Sequence, residues 1–273
     1  MIARCLAGAV ALALALGAPA SADQAEQQIG AQVYQQLQAR GEILTTSPYY
    51  ATLNPIAARI SAVANPQYDA PFHFILVHES QPNAFSVPGG NVYVTDSMMG
   101  FVHTKEELAG VLCHETSHTI HHDVMNLYRK NENLSIGATL LSMLIGGGQN
   151  GFANFLIENL AGIESLHFSR DVEAAADHKG AITCAQAGID PWGMVWLMRD
   201  FEAHPTANPP EFLSDHPSDS HRISNLENEF ASDPAMFGKF NPNVASGTPI
   251  RAAAPARTAQ RQAHFCCAPP KTE

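Results

Sequence analysis

Apolar residues recur every fourth position at Ile29, Val33 and Leu37, with Gly41 just beyond, which predicts an amphipathic helix over residues 24–39. Asn54-Pro55 offers a cap and a first-turn proline for a second helix, whose apolar face is Ile56, Ile60 and Val63. The periodicity then changes. FHFILVH (72–78) and NVYVT (91–95) read as strands, and between them NAFSV (83–87) reads as a short strand followed by a Pro88-Gly89-Gly90 turn. After Thr95 strand signals almost vanish, and the chain looks helical to about Phe230. One helix in that stretch begins cleanly: Thr104 can cap it, Glu107 completes a capping box, and Leu108, Val111 and Leu112 supply a buried side. LSIGATLLSMLIGGG (134–148) is the most hydrophobic internal segment. It carries no charge but falls short of the roughly 20 residues that span a bilayer, so it reads as a buried helix. The alternative is a mobile or membrane-touching element. No internal repeat is visible.

The two ends depart from this pattern. A lone Arg4, the apolar run from Leu6 to Leu16 and Ala20-Ser21-Ala22 make residues 1–22 a secretory signal peptide, with cleavage expected after Ala22. The expected compartment is a bacterial periplasm. Residues 241–273 are rich in Ala, Pro and Arg, without apolar periodicity, and read as a disordered tail, in which His264, Cys266 and Cys267 are ordinary residues. Residues 23–240 therefore form the expected single domain, and 45% hydrophobic composition suffices for its core. A net charge of −11, with no basic stripe, excludes nucleic acid as a partner. Of five cysteines, Cys5 leaves with the signal; the other four are too few in so long a chain to be a disulfide framework, and no pairing follows from their spacing. Nothing in the pattern fixes an oligomeric state.

The chemistry concentrates in GVLCHETSHTIHHD (110–123), which holds four histidines. His114-Glu115-x-x-His118 places two imidazoles a turn apart on one helical face, where both can bind one zinc ion. Glu115, rotated by about 100°, comes beside the metal, where it can deprotonate a water that zinc acidifies. His121 lies on the same stripe as His114 but about 10 Å along the axis, beyond the reach of a shared ion. The HExxHxxGxxH arrangement is excluded, because its glycine and final histidine positions hold His121 and Val124. His121 and His122 are thus exposed or polar-contact residues, and Cys113 points to another face as a packing residue. The third ligand is expected from FSRDVEAAADHKG (168–180): Glu173 binds the metal, and Asp177, one turn on, accepts the N–H of a ligand histidine.

Four blocks now resemble a known family. NAFSVPGGNVYVTDSMM (83–99), TKEELAGVLCHETSH (104–118), SRDVEAAAD (169–177) with Gly180, and HPSDSHRI (216–223) are similar, in order, to segments of the HtpX-like and BepA-like zinc metallopeptidases, relatives of the CAAX prenyl proteases. The resemblance covers about residues 25–230. It implies an α+β, mostly helical zincin-like domain with a small β-sheet beside the active-site helix. It also implies one Zn2+ held by His114, His118 and Glu173, Glu115 as general base and Asp177 behind the ligands. It further brings His216 and Arg222 to the metal, His216 either stabilising the oxyanion or capping zinc in a latent state, Arg222 pairing with a carboxylate or orienting substrate. Asn83, Ala84 and Phe85 would lie where an extended polypeptide adds to a strand edge. Without the transmembrane helices of some branches, or tetratricopeptide repeats, the sequence fits the soluble periplasmic branch. The implied activity is a zinc endopeptidase acting on misfolded or misassembled envelope proteins. The rivals are a zinc-binding chaperone or scaffold and a zinc hydrolase of a peptidoglycan amide.

Overall fold

The computed structural model describes residues 22–130, 168–203 and 220–250, together with Phe212 and His216. The signal segment up to residue 21, the apolar stretch 134–148 and the tail beyond residue 250 lie outside the described residues.

Helix α1 (Ala22–Ala39) and helix α2 (Tyr50–Ala64) precede three strands, β1 (His73–Val77), β2 (Ala84–Val87) and β3 (Asn91–Thr95). The sheet order is β1-β3-β2, with β3 parallel to β1 and antiparallel to β2. The alternation of strand side chains explains how this small sheet is covered. Phe74, Leu76, Ala84, Val92 and Val94 join the main helical core, whereas Ile75, Val77, Phe85, Val87 and Tyr93 pack with Ile29, Val33 and Leu37 of α1. With helices on both faces, all five residues of β3 are buried.

Helix α3 (Asp96–Phe101) leads into α4 (Lys105–Ile120), the centre of the molecule. The expected capping box is present: Glu107 N–H donates to Thr104 Oγ1 at 3.1 Å, and Thr104 N–H to Glu107 Oε2 at 3.0 Å. Every residue from Glu107 to Thr119 is buried. Two of the polar residues there are satisfied within the helix: Thr116 donates to the Leu112 carbonyl and Ser117 to that of Cys113. Helix α5 (Asp123–Lys130) follows after a two-residue turn; α6 (Arg170–Gln186) and α7 (Trp192–Ala203) then pack on α4, and α8 (Ser220–Ser232) on α6 and α7. A short α9 (Pro234–Phe237) completes the helices. Gly180 permits the approach of α6, since a Cβ there would lie 3.1 Å from the His114 backbone nitrogen. No helix among the described residues is long and apolar enough to cross a membrane.

Three expectations require correction. Helix α2 starts at Tyr50 and carries Pro55 inside it, because burying Leu53 in line with Ile56 and Ile60 extends the apolar face a turn upstream of Asn54-Pro55. Residues 241–250, expected to open a disordered tail, are docked: Trp196 Nε1 donates to the Pro242 carbonyl, Lys105 N–H to Thr248, and Ile250 N–H to His103. Cys113 is more than a packing residue, because it forms a disulfide with Cys184 that ties α4 to α6.

The Cys113–Cys184 bond spans 71 residues of sequence. On the chain-entropy account a loop of this size stabilises the fold by about 4 kcal/mol. Replacing both cysteines by alanine should therefore lower the thermal midpoint by roughly 10 °C, as measured by calorimetry. An unchanged midpoint would remove the bond from the account of stability.

Candidate metal centre

Four buried side chains converge from three parts of the chain: His114 and His118 on α4, Glu173 on α6, and His216 ahead of α8. One donor atom from each lies within 4.8 Å of the others. The two α4 imidazoles meet nearly at right angles, with His114 Nε2 3.0 Å from His118 Nε2. Glu173 Oε1 lies 3.0 Å from His216 Nδ1 and 3.6 Å from His118 Nε2, and Glu173 Oε2 lies 3.4 Å from His114 Nε2. His216 Nδ1 is 3.3 Å from His114 Nε2. A tetrahedral zinc with bonds of roughly 2.0–2.1 Å would set its donor atoms about 3.3 Å apart, and the separations of 3.0 to 3.6 Å given above lie around that value.

The groups behind these side chains point the same way. His114 Nδ1 lies 3.0 Å from Asp177 Oδ1, and His118 Nδ1 donates to Asp123 Oδ2 at 2.9 Å. Both rings therefore turn Nε2 toward the same point, where each offers a lone pair once it is unprotonated. Two such lone pairs 3.0 Å apart repel unless a cation or a proton lies between them, so the donor set fits a metal ion. Asp177 in turn accepts from Arg222 Nε and Nη2, both at 2.7 Å, and Arg222 Nη1 lies 2.9 Å from Glu173 Oε2. Arg222 thus holds two carboxylates in a planar fork. The ring of Phe168 stacks on His118 with centroids 4.5 Å apart.

The electrostatics follow from burial and from these partners. Burial disfavours a charged His114, but hydrogen bonds to Asp177 and Glu173 outweigh it and raise its pKa to about 9. Burial lowers His118, and pushes His216 down to about 3. Burial would raise both carboxylates, yet His216 and His114 hold Glu173 below the usual range and Arg222 does the same for Asp177. The carboxylates are thus kept in the anionic form that a cation needs.

Around this centre, Glu115 Oε1 lies 3.3 Å from His216 Nε2. His216 therefore touches the ligand group with one nitrogen and Glu115 with the other. Its position is fixed through Phe212, whose carbonyl accepts from His216 N–H and whose own N–H donates to the Pro82 carbonyl at the entrance to β2. Asn83 and Ala84 are buried, and the Asn83 side chain accepts from the Ala84 N–H, while Phe85 is half-buried and stacks on Tyr93. His121 caps the C-terminus of α4, and His122 donates to Glu26 of α1 at 2.9 Å. Sequence reasoning missed Asp123. The available signal was a carboxylate five residues beyond His118, at the start of the next helix.

Comparison with known proteins covers the same residues. The profile of peptidase family M48 matches residues 50–230. The beta-barrel assembly-enhancing protease of Yersinia pestis is 30% identical over 223 residues, which is 78% of this chain and 45% of the relative. The protein of that name in Escherichia coli O157:H7 is 28% identical over 74% of this chain and 43% of the relative. Mitochondrial metalloendopeptidase OMA1 of Schizosaccharomyces pombe is 28% identical over 63% of this chain and 50% of the relative. The chain thus spans about half the length of the curated relatives that it matches, or less. Since the family match runs from α2 almost to the end of α8 and takes in all four converging side chains, this chain belongs to peptidase family M48.

Proposed function

We propose that this chain is a zinc-dependent endopeptidase of an exported, oxidising compartment, acting on misfolded or misassembled envelope polypeptides. The observation that carries the reading is Glu115, a buried carboxylate set beside the four converging donors rather than among them. A metal site serving stability alone would have no use for it.

Zinc, when bound by His114, His118 and Glu173, supplies Lewis acidity that acidifies water and polarises the scissile carbonyl. Glu115 takes the proton of the attacking water and delivers it to the leaving amine. Asp177 and Asp123 fix the tautomers of His114 and His118, and Arg222 keeps Asp177 and Glu173 in register. His216, bridging the ligand group and Glu115, takes the place that a substrate carbonyl requires and acts as a cap that must withdraw before turnover. Among the described residues β2 pairs with β3 alone, so its outer edge can receive an extended peptide through backbone hydrogen bonds. Asn83 anchors the start of this edge, its N–H donating to Thr95 Oγ1 and its carbonyl accepting from the Thr95 N–H, and Ala84 and Phe85 line the edge beyond it. The Cys113–Cys184 disulfide supports an oxidising compartment, as does the signal-like N-terminus, and a bacterial periplasm satisfies both.

The second reading, a zinc-binding chaperone or scaffold, gains support from His216 completing a four-ligand set, which is typical of structural zinc. Two substitutions separate the readings. Glu115→Gln should retain stoichiometric zinc and lower kcat/KM on an unfolded test protein by at least about a hundredfold. Full activity in that variant would eliminate the mechanism. His216→Ala should raise the cleavage rate in the same assay by removing the cap; a loss of cleavage would instead assign His216 to oxyanion stabilisation.

A further inference from the structure

The turn between α4 and α5 contains the single non-glycine residue among those described with a left-handed backbone, His122 at φ +54°. An L-residue there is costly, and such strain persists only where its surroundings enforce it. The turn is held locally by His122 N–H to the Thr119 carbonyl and Asn126 N–H to the His122 carbonyl, and its side chain is tied to a distant element by Glu26, on a helix 96 residues earlier in the sequence. His122 Nδ1 lies 2.9 Å from Glu26 Oε1 and 3.0 Å from Oε2. The carboxylate is itself buried, and Tyr68 Oη donates to its Oε2 at 2.6 Å. The backbone carrying Glu26 cannot drift either. A Cβ on Gly89 would lie 2.7 Å from the Glu26 carbonyl oxygen, so α1 sits directly on the Pro88-Gly89-Gly90 turn, and the Gly89 N–H donates to Tyr68 Oη.

The residue after His122 is Asp123, whose Oδ2 accepts from His118 Nδ1 at 2.9 Å. The direction of that carboxylate depends on the backbone of the turn, and hence on His122. We infer that Glu26 is a positioning residue for the metal centre: it holds His122 in the left-handed conformation that aims Asp123 at His118, and so orients a metal ligand from the far side of the sheet. The inference rests on His118 being a zinc ligand. It also gives α1 a task beyond covering the sheet, for the helix that buries Tyr93 would then tune the site on α4.

The test is zinc affinity, measured on the full chain by chelator competition, with helical content and thermal midpoint recorded alongside. Loss of an outer-shell partner of a ligand histidine typically weakens metal binding 10- to 100-fold. Glu26→Ala should therefore bind zinc at least about tenfold more weakly while folded, whereas Glu26→Gln, which keeps an acceptor oxygen, should stay close to the unsubstituted protein. Glycine adopts φ +54° freely, so His122→Gly combined with Glu26→Ala should recover most of the lost affinity. In an Asp123→Ala background, Glu26→Ala should weaken binding no further. Unaltered zinc affinity in Glu26→Ala, with or without a lower midpoint, would overturn the inference. So would a full additive loss in the Asp123→Ala background. If the unsubstituted protein bound no zinc, the metal centre itself would fall, and this inference with it.

Discussion

A helical core can bury three imidazoles and three carboxylates only if they are set against one another before anything binds. Unpartnered, such groups would cost several kcal/mol apiece. Here the demand is met by pairing across α4 and α6: His114 against Asp177 and Glu173, and Glu173 and Asp177 against Arg222 from α8. The helix approach that permits these distances depends on Gly180, where a side chain would press on the backbone of His114. One residue before His114, the Cys113–Cys184 disulfide fastens the same two helices. Chemistry and packing are therefore set by one interface, and a change that separated α4 from α6 would disturb both.

The sheet and α1 serve the other end of α4. Alternation along β3 sends Val92 and Val94 into the helical core and Tyr93 toward α1, so the sheet is a shared wall between two apolar clusters. Glu26 of α1, whose carboxylate accepts from Tyr68 and His122, links the helix of that second cluster to the C-terminal end of α4. His118 consequently receives support from the N-terminal part of the chain, and His114 from the C-terminal part.

What the sequence revealed divides along physical lines. The capping box at Thr104, the His114–His118 spacing and the apolar stripe of α1 are local, because their partners lie within a few turns, and they were legible. Glu173 and Asp177 lie far along the chain but sit one turn apart among small residues, a pattern readable in itself, whereas His216 and Arg222 came into view only through the family resemblance. Asp123 was missed although it is near in sequence, because its role depends on a left-handed residue that no periodicity announces. Leu53 overrode the start signal at Asn54-Pro55, since burial of one leucine outweighed a favourable cap. The docking of residues 241–250 and the pairing of Cys113 with Cys184 are non-local contacts with no composition signal.

The central claim is that His114, His118, Glu173 and His216 form one zinc site. X-ray absorption at the zinc edge of the purified protein tests it most directly. The account predicts one zinc per chain with three imidazole nitrogens and one carboxylate oxygen at about 2.0–2.1 Å, and no sulfur. A shell containing sulfur at about 2.3 Å, or protein that takes up no zinc, would contradict it.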